Sequence, residues 1–187
     1  MKMTQNIIKA LVVTSLTLLV GCATHQQGAQ NAKAGWTRWE KSDGGNGHYY
    51  KAVAVTNGIA WMHAEQLARK QGGYLVTITS AQENGFVFKL VNSPEFFTDG
   101  NGCGPVLGGF QRDGAVEPDQ GWCWVTGEPW NYSNWHFGEP NNFKFPGQPP
   151  EDRLIFFSGV GSRPSGDWGD IGRNDKNTGG YVIERDR

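Results

Sequence analysis

Residues 132–142 read Tyr-Ser-Asn-Trp-His-Phe-Gly-Glu-Pro-Asn-Asn, and they carry most of the information about how this chain folds. They lie within a longer segment, residues 127–150, that is rich in Pro, Asn and Gly and has little hydrophobic periodicity. A loop of that length in a compact domain is usually either functional or disordered. The segment also holds many aromatic residues, which disordered regions lack: Trp130, Tyr132, Trp135, Phe137 and Phe143. The sequence therefore predicts a long, ordered loop.

Regular elements are predicted on both sides of this loop. Apolar residues at steps of three and four predict a helix over 59–70, ended by Gly72-Gly73. Ser80, with Glu83 three residues later, predicts the start of a second helix with a capping box. Strand-forming runs occur at 48–55, 74–78, 106–110, 122–125, 154–157 and 181–184. We expect an α+β fold with two helices, a small antiparallel sheet and a large irregular loop region.

Acidic and amide residues are concentrated in the second half of the chain: Glu139, Asn141, Asn142, Glu151, Asp152, Asp167, Asp170, Asn174 and Asp175. Calcium prefers about 6–8 oxygen ligands of this kind. A cis bond at Pro140 would turn the flanking side chains toward one point. Taken alone, however, Glu-Pro-Asn-Asn is also an ordinary turn sequence.

The order of motifs along the chain resembles that of a C-type lectin-like domain over residues 36–185. The matching stretches are Gly73–Ser80, Glu83-Asn84, Val106–Gly109, Trp122–Gly127, Tyr132–Trp135, Glu139–Asn142, Glu151-Asp152, Trp168–Asp170 and Gly180–Glu184. The resemblance implies a long loop with a calcium site that can also hold a sugar. Carried over to this chain, the ligands of calcium and carbohydrate are Glu139, Asn141, Glu151 and Asp170. In this family Glu-Pro-Asn goes with mannose-type sugars, whereas Gln-Pro-Asp goes with galactose.

The chain departs from the family pattern at several positions. Gly169 stands where the family's Trp-Asn-Asp motif has Asn, so one amide ligand is missing, and Asp167, Asn174 or water would have to replace it. The positions of the two usual disulfides hold Ala68 with Ile183 and Arg153 with Arg173. Cys103 and Cys123 remain, and we expect them to form a different disulfide, the alternative being two free thiols.

The first residues are predicted to be a targeting signal. Lys2 and Lys9 precede a short apolar run, and Leu19-Val20-Gly21-Cys22 resembles the site at which bacterial lipoproteins are cleaved and lipidated. An ordinary signal peptide is the alternative. We expect a signal at 1–21, lipidation of Cys22, a flexible tether at 22–35 and a lectin-like domain at 36–187. Ala23 after the cysteine favours the outer membrane of a bacterial envelope.

Several functions are disfavoured by the sequence. The formal charge of -1 provides no basic surface for nucleic acid, and none of the common catalytic motifs occurs, so we expect no enzyme. Four tryptophans are predicted to lie in the core: Trp61, Trp122, Trp124 and Trp135. Trp168 and His136 are the aromatic candidates for ligand contact, although packing or surface exposure is the preferred interpretation of both. The rival to a calcium-dependent lectin is a calcium-independent module of the same fold that binds a surface protein.

Overall fold

The structure is a computed structural model that describes residues 35–98, 101–143, 147 and 149–186. The predicted signal peptide, the lipidation site at Cys22 and the tether up to residue 34 lie outside these residues. Within the described part of the chain, no helix is long and apolar enough to span a membrane.

The fold is α+β with two helices, as the sequence predicts. The helices are α1 (Trp61–Lys70) and α2 (Ala81–Val91). The strands are β1 (Thr37–Arg38), β2 (Tyr49–Ala54), β3 (Tyr74–Leu75), β4 (Cys103–Gln111), β5 (Trp122–Trp124), β6 (Glu151–Phe157), β7 (Trp168–Gly172) and β8 (Gly180–Arg185). Short 3₁₀ turns lie at Lys41–Asp43 and Pro94–Phe96.

The strands form one sheet in the order β1-β2-β8-β4-β6-β7, with β3 paired to β8 and β5 paired to β4. β4 and β8 run parallel, while the other described pairs are antiparallel. The sheet is thus larger than expected and mixed. The sequence analysis missed β7 because Gly169, Asp170 and Gly172 have low strand propensity. These residues form a strand because the tertiary structure pairs them with β6.

Helix α1 packs on the sheet through the apolar face that its periodicity predicts. Trp61, Ala64 and Ala68 are buried, and the Trp61 indole donates to the Leu107 carbonyl at 2.8 Å. Gly72 follows the helix with φ +76°, the left-handed conformation predicted there. At Gly73 a Cβ atom would lie 2.4 Å from the Glu184 carbonyl oxygen, so only glycine allows this close approach of the chain to β8.

Helix α2 begins at Ser80 as predicted, but only half of the capping box forms. The Ser80 hydroxyl accepts a hydrogen bond from the Glu83 backbone N–H at 3.2 Å. The Glu83 carboxylate bonds instead to the N–H of Thr79 and to the hydroxyl of Tyr50, at 2.8 and 2.7 Å. The buried Glu83 side chain therefore links α2 to β2, and it does not form the second hydrogen bond of the capping box.

An aromatic cluster beneath the long loop explains why the loop is ordered. Trp168 is completely buried and meets its neighbours edge-on, with ring centroids 5.4–6.0 Å away. The predicted core tryptophans Trp61, Trp122 and Trp124 are buried, and Trp135 packs against the same core. Packing, the preferred interpretation of Trp168, is confirmed, because this ring is completely buried at the centre of the cluster. Its neighbours there are Trp124, Trp130, Tyr132 and Trp135.

The predicted disulfide between Cys103 and Cys123 is wrong. Both thiols are free, and the register of β4 and β5 places Cys123 opposite Phe110. Phe110 lies seven positions after Cys103 on β4 (103 to 110), a separation of roughly 20 Å along a strand. A disulfide needs Cα atoms within about 7 Å.

The two pairs of positions that hold the family's disulfides contain other contacts in this chain. Ala68 and Ile183 are both fully buried in one apolar cluster. Arg153 and Arg173 both pair with the buried carboxylate of Asp152, and Arg173 also reaches Asp113 at 3.3 Å. Apolar packing and a shared ion pair therefore occupy the places of the missing bridges.

Candidate functional site

The long loop adds to the edge of the sheet beside β7. The N–H of Trp168 donates to the Asn134 carbonyl, and the N–H of His136 donates to the Trp168 carbonyl, both at 2.8 Å. Trp135 forms an isolated parallel bridge with Trp168. This pairing brings the Glu139–Asn142 segment next to Asp170, two residues further along β7.

A tight turn leads from this bridge into the acidic motif. The N–H of Glu139 donates to the His136 carbonyl at 2.9 Å, and Gly138 between them has φ +90°. That combination is typical of a type II turn, which needs a residue with positive φ at its third position. The Glu139–Pro140 bond that follows is cis, the isomer considered in the sequence analysis.

Asp170 holds the loop through its backbone. Its two carboxylate oxygens accept hydrogen bonds from the N–H groups of Asn141 and Asn142, at 3.0 and 2.8 Å. Asp170 is 8% exposed. The Glu139 carboxylate accepts from the Asn141 side-chain amide at 2.8 Å. Three of the four residues proposed from the family resemblance therefore lie together at this turn.

Glu151, the fourth residue, closes the loop from the start of β6. Its carboxylate accepts a hydrogen bond from the Phe143 N–H at 2.8 Å, and its own N–H donates to the Asn142 side chain at 3.1 Å. The loop backbone is thus held between β6 on one side and β7 on the other. The structure brings Glu139, Asn141, Glu151 and Asp170 into one neighbourhood although 31 residues separate the first from the last (139 to 170).

The carboxylates of this neighbourhood repel one another. Burial, followed by contact with Asp170 and the charges of Asp170 and Glu151, raises the pKa of Glu139 to about 8. Burial, followed by the charges of Asp170 and Asp175, raises the pKa of Glu151 to about 7. An excess of closely spaced negative charge of this kind favours either protons or a bound cation.

Asp175 is a nearby acidic residue that is not among the four ligands implied by the family resemblance. Its charge contributes to the raised pKa of Glu151, and its carboxylate is fixed by the Asn177 N–H at 2.8 Å. The substitutes proposed for the missing ligand are Asp167, Asn174 or water. Asp167 bonds to Asn134 and His136, and Asn174 is exposed. The proximity of Asp175 to Glu151 depends on the pairing of β6 with β7, which the sequence does not reveal.

Gly169 leaves no room for the missing amide. A Cβ atom at this position would lie 2.9 Å from both Cβ and Cγ of Phe157, which is closer than real side-chain contacts allow. The absence of a ligand at 169 is therefore built into the packing between β6 and β7.

The oxygen ligands in this neighbourhood suit a hard cation. In their present arrangement, however, the side chains do not form a complete metal site. Three carboxylates and an amide oxygen are the ligand chemistry of calcium. Within the described ranges, however, no three His, Cys, Asp or Glu side chains already converge at metal-binding distances. Both oxygens of Asp170 face backbone N–H groups. Binding of a cation would require these carboxylates to reorient.

The comparisons with known proteins decide the family. No protein-family model matches the chain. A perlucin-like protein of Mytilus galloprovincialis is 30% identical over 168 residues, covering 87% of this chain and 92% of that protein. The chain belongs to the C-type lectin-like family. The C-type lectin-like fold is confirmed with it, and so is the expectation of a non-enzymatic binding module.

Solved structures of C-type lectin-like domains share the fold. The carbohydrate-recognition domain of cow CD23, crystallised in the presence of a GlcNAc2Man3 oligosaccharide, has a TM-score of 0.57 at 22% identity. It covers 81% of this chain and 92% of the cow domain. A calcium-independent type II antifreeze protein has the same TM-score and the same coverage at 20% identity. A Ca2+-dependent type II antifreeze protein also shares this architecture, with a TM-score of 0.57 at 18% identity, so the fold does not decide whether calcium is bound.

Proposed function

We propose that this C-type lectin-like protein binds carbohydrate through a calcium ion held by Glu139, Asn141, Glu151 and Asp170. The observation that carries the proposal is the meeting of Glu139, Asn141, Glu151 and Asp170 at one turn. Burial first, and the mutual repulsion of the carboxylates second, raise the pKa of Glu139 and Glu151. A divalent cation would relieve this repulsion, and the donor set has the oxygen chemistry that calcium prefers.

Two residues of the chain would recognise the sugar directly. Bound calcium would supply coordination for two neighbouring sugar hydroxyls. The Glu139 carboxylate would accept a hydrogen bond from one hydroxyl, and the Asn141 amide would donate to the other. The side chains of Glu139 and Asn141 already bond to each other at 2.8 Å, so both reach one point. Hydrogen bonds to an ionised acceptor are stronger than neutral ones.

The order Glu139-Pro140-Asn141 supports a preference for mannose-type sugars. In C-type lectins this order goes with mannose, glucose and N-acetylglucosamine. It fixes which hydroxyl meets the carboxylate acceptor and which meets the amide donor, and galactose presents its hydroxyls in a different arrangement.

We also propose that the protein is anchored to a bacterial envelope, at the outer membrane, by lipid on Cys22. The support is the pattern of Lys2, Lys9, the apolar run and Leu19-Val20-Gly21-Cys22. In a bacterial host fed radiolabelled palmitate, the full-length protein should take up label and fractionate with membranes. Cys22→Ser should take up none. Equal labelling of the two proteins would contradict the anchor.

Calorimetric titration of calcium, followed by methyl α-mannoside, tests the proposed function. The chain from residue 35 onward contains every helix and strand described and is the sample. We expect one saturable calcium site of micromolar to millimolar affinity, and sugar binding only when calcium is present. Asp170→Ala should lose both, whereas Asp119→Ala, an exposed acid in the β4–β5 connection, should lose neither.

The alternative function is a calcium-independent module that binds a surface protein. The packing of Phe157 against Gly169, which excludes the family's amide ligand, is the observation that favours it. No heat of binding and no rise in melting temperature with calcium would contradict the lectin proposal and leave this alternative. Retention of the calcium site in Asp170→Ala would show that the metal lies elsewhere.

A further inference from the structure

Exposed apolar side chains flank the acidic motif on both sides. In the described residues the large hydrophobic side chains with high exposure are Met62, Val116, Phe137, Phe143 and Val160. Phe137 precedes Glu139 by two positions and is 99% exposed, and Phe143 follows Asn142 directly and is 59% exposed. A phenyl ring left almost entirely in water forgoes the favourable free energy of burial that it would gain in the core.

The backbone around Phe137 is held in place by several contacts. It occupies the second position of the turn that the Glu139 N–H closes on the His136 carbonyl. His136 itself is held by its backbone N–H to Trp168, by its ring nitrogen 3.2 Å from Asp167, and by an edge-on contact with Phe157. The ring of Phe137 is therefore presented on an anchored turn, and a ligand would pay little ordering entropy to meet it.

The surroundings of Phe137 indicate what kind of ligand would use it. Gly138 and Asn141 are exposed beside it, and Glu139 is partly buried. A ligand at this place must offer hydroxyls to the polar groups and a flat apolar face to the ring. A pyranose has both, because its C–H bonds form one face and its hydroxyls the rim. A hydrocarbon chain would leave the polar groups without partners.

We propose that Phe137 is a stacking platform for a second sugar residue of an oligosaccharide whose terminal residue is bound at Glu139 and Asn141. Phe137 thereby gives the protein a preference for oligosaccharides over monosaccharides. This inference rests on the proposed function of the same site. The gain from one aromatic contact is about 3- to 10-fold in affinity.

The test measures one ratio in millimolar calcium: the affinity for a linear mannotriose divided by the affinity for methyl α-mannoside. We expect a ratio of about 3–10 for the wild type. Phe137→Ala should lower it to about 1, and Phe137→Trp should keep it, because the flat ring is retained. Phe137→Leu should lower it as well, since leucine is apolar but has no flat face. Val116→Ala, an exposed apolar residue in the β4–β5 connection, is the matched control and should leave the ratio unchanged.

Each other outcome contradicts a specific statement. A wild-type ratio near 1, or a full ratio in Phe137→Ala, would overturn the platform while leaving the calcium site intact. A full ratio in Phe137→Leu would show a non-specific apolar contact and overturn stacking. If the wild type binds neither sugar in calcium, the proposed function fails, and the platform fails with it.

Discussion

Among single residues, Gly169 shows how packing can remove a ligand from a family motif. A Cβ atom at this position would clash with Cβ and Cγ of Phe157, so an added side chain requires Phe157 to shift. Overpacking of this kind costs about 1–3 kcal/mol. Gly172, three positions later on β7, has no neighbour closer than 4.0 Å to a Cβ atom and serves as its control.

We therefore expect Gly169→Ala to lower the free energy of unfolding by about 1–3 kcal/mol. Gly172→Ala should change it by less than about 0.5 kcal/mol. Urea denaturation of the two variants beside the wild type makes the comparison. Equal stability of Gly169→Ala and wild type would mean that Phe157 moves away freely, and the missing amide ligand would then need another explanation.

The hydrogen-bonding roles of Glu139 as acceptor and Asn141 as donor are a second property of single residues. Glu139→Gln with Asn141→Asp exchanges acceptor and donor, so we expect mannose binding to weaken at least tenfold and galactose binding to appear. Competition assays with the two free sugars measure this. The control changes the Glu-Pro-Asp sequence of the β4–β5 connection, Glu117→Gln with Asp119→Asn, and should leave the sugar preference unchanged. Unchanged mannose preference in the first double variant would contradict the coordination proposal.

Between strands, an ion pair takes the place of a disulfide. Asp152 on β6 accepts from Arg173 just after β7 and lies 3.0 Å from the guanidinium of its neighbour Arg153. Arg153 is itself buried and lies over the ring of Trp61, 4.8 Å from its centroid. Breaking a buried pair by removing one partner leaves an uncompensated charge inside the protein.

Asp152→Asn should accordingly lower the free energy of unfolding by about 3 kcal/mol or more, because Arg153 stays buried without its counter-charge. Asp113→Asn removes the exposed acid that contacts the same Arg173, and we expect less than about 1 kcal/mol. Denaturant titrations at constant salt provide both values. A small effect of Asp152→Asn would show that water reaches Arg153 readily.

At the scale of the whole molecule, a buried polar network ties β2 and β8, which are distant in sequence, to α2. The Tyr50 hydroxyl on β2 lies 2.7 Å from the Glu83 carboxylate and 3.2 Å from that of Glu184 on β8. His48 contacts the same Glu184 oxygen at 2.7 Å. The hydrogen bond with Glu184 raises the pKa of His48, and burial raises that of Glu83.

The two shifts act on stability in the same direction. The folded state binds protons more tightly than the unfolded state at both groups, so its stability falls as pH rises. The contribution of His48 is complete below about 6.5 and is lost as pH rises through the raised pKa of the folded state. His48→Gln should flatten the decline between pH 6 and 8. His63→Gln, at an exposed position of α1, should not. Urea midpoints at several pH values test this, and parallel curves for His48→Gln and wild type would contradict it.

Much of the architecture could be predicted from patterns that depend on near neighbours. Helix α1 follows from apolar residues one turn apart and from Gly72, and the start of α2 follows from Ser80 and Glu83. The family followed from the order of short motifs such as Glu139–Asn142 and Trp168–Asp170. These signals are local, and each segment carries its own.

Other features needed the tertiary structure because they join residues far apart in the chain. β7 pairs with β6 and carries Trp168 into the cluster beneath the loop, and this arrangement brings Asp170 to the backbone of Asn141 and Asn142. The pairing of β6 with β7 places Phe157 against Gly169, and the register of β4 with β5 separates Cys103 from Cys123. The order of motifs determined the family and identified the acidic residues, since each motif is a short run of consecutive residues. Strand register determined their neighbours, since contacts across a sheet depend on how distant strands align.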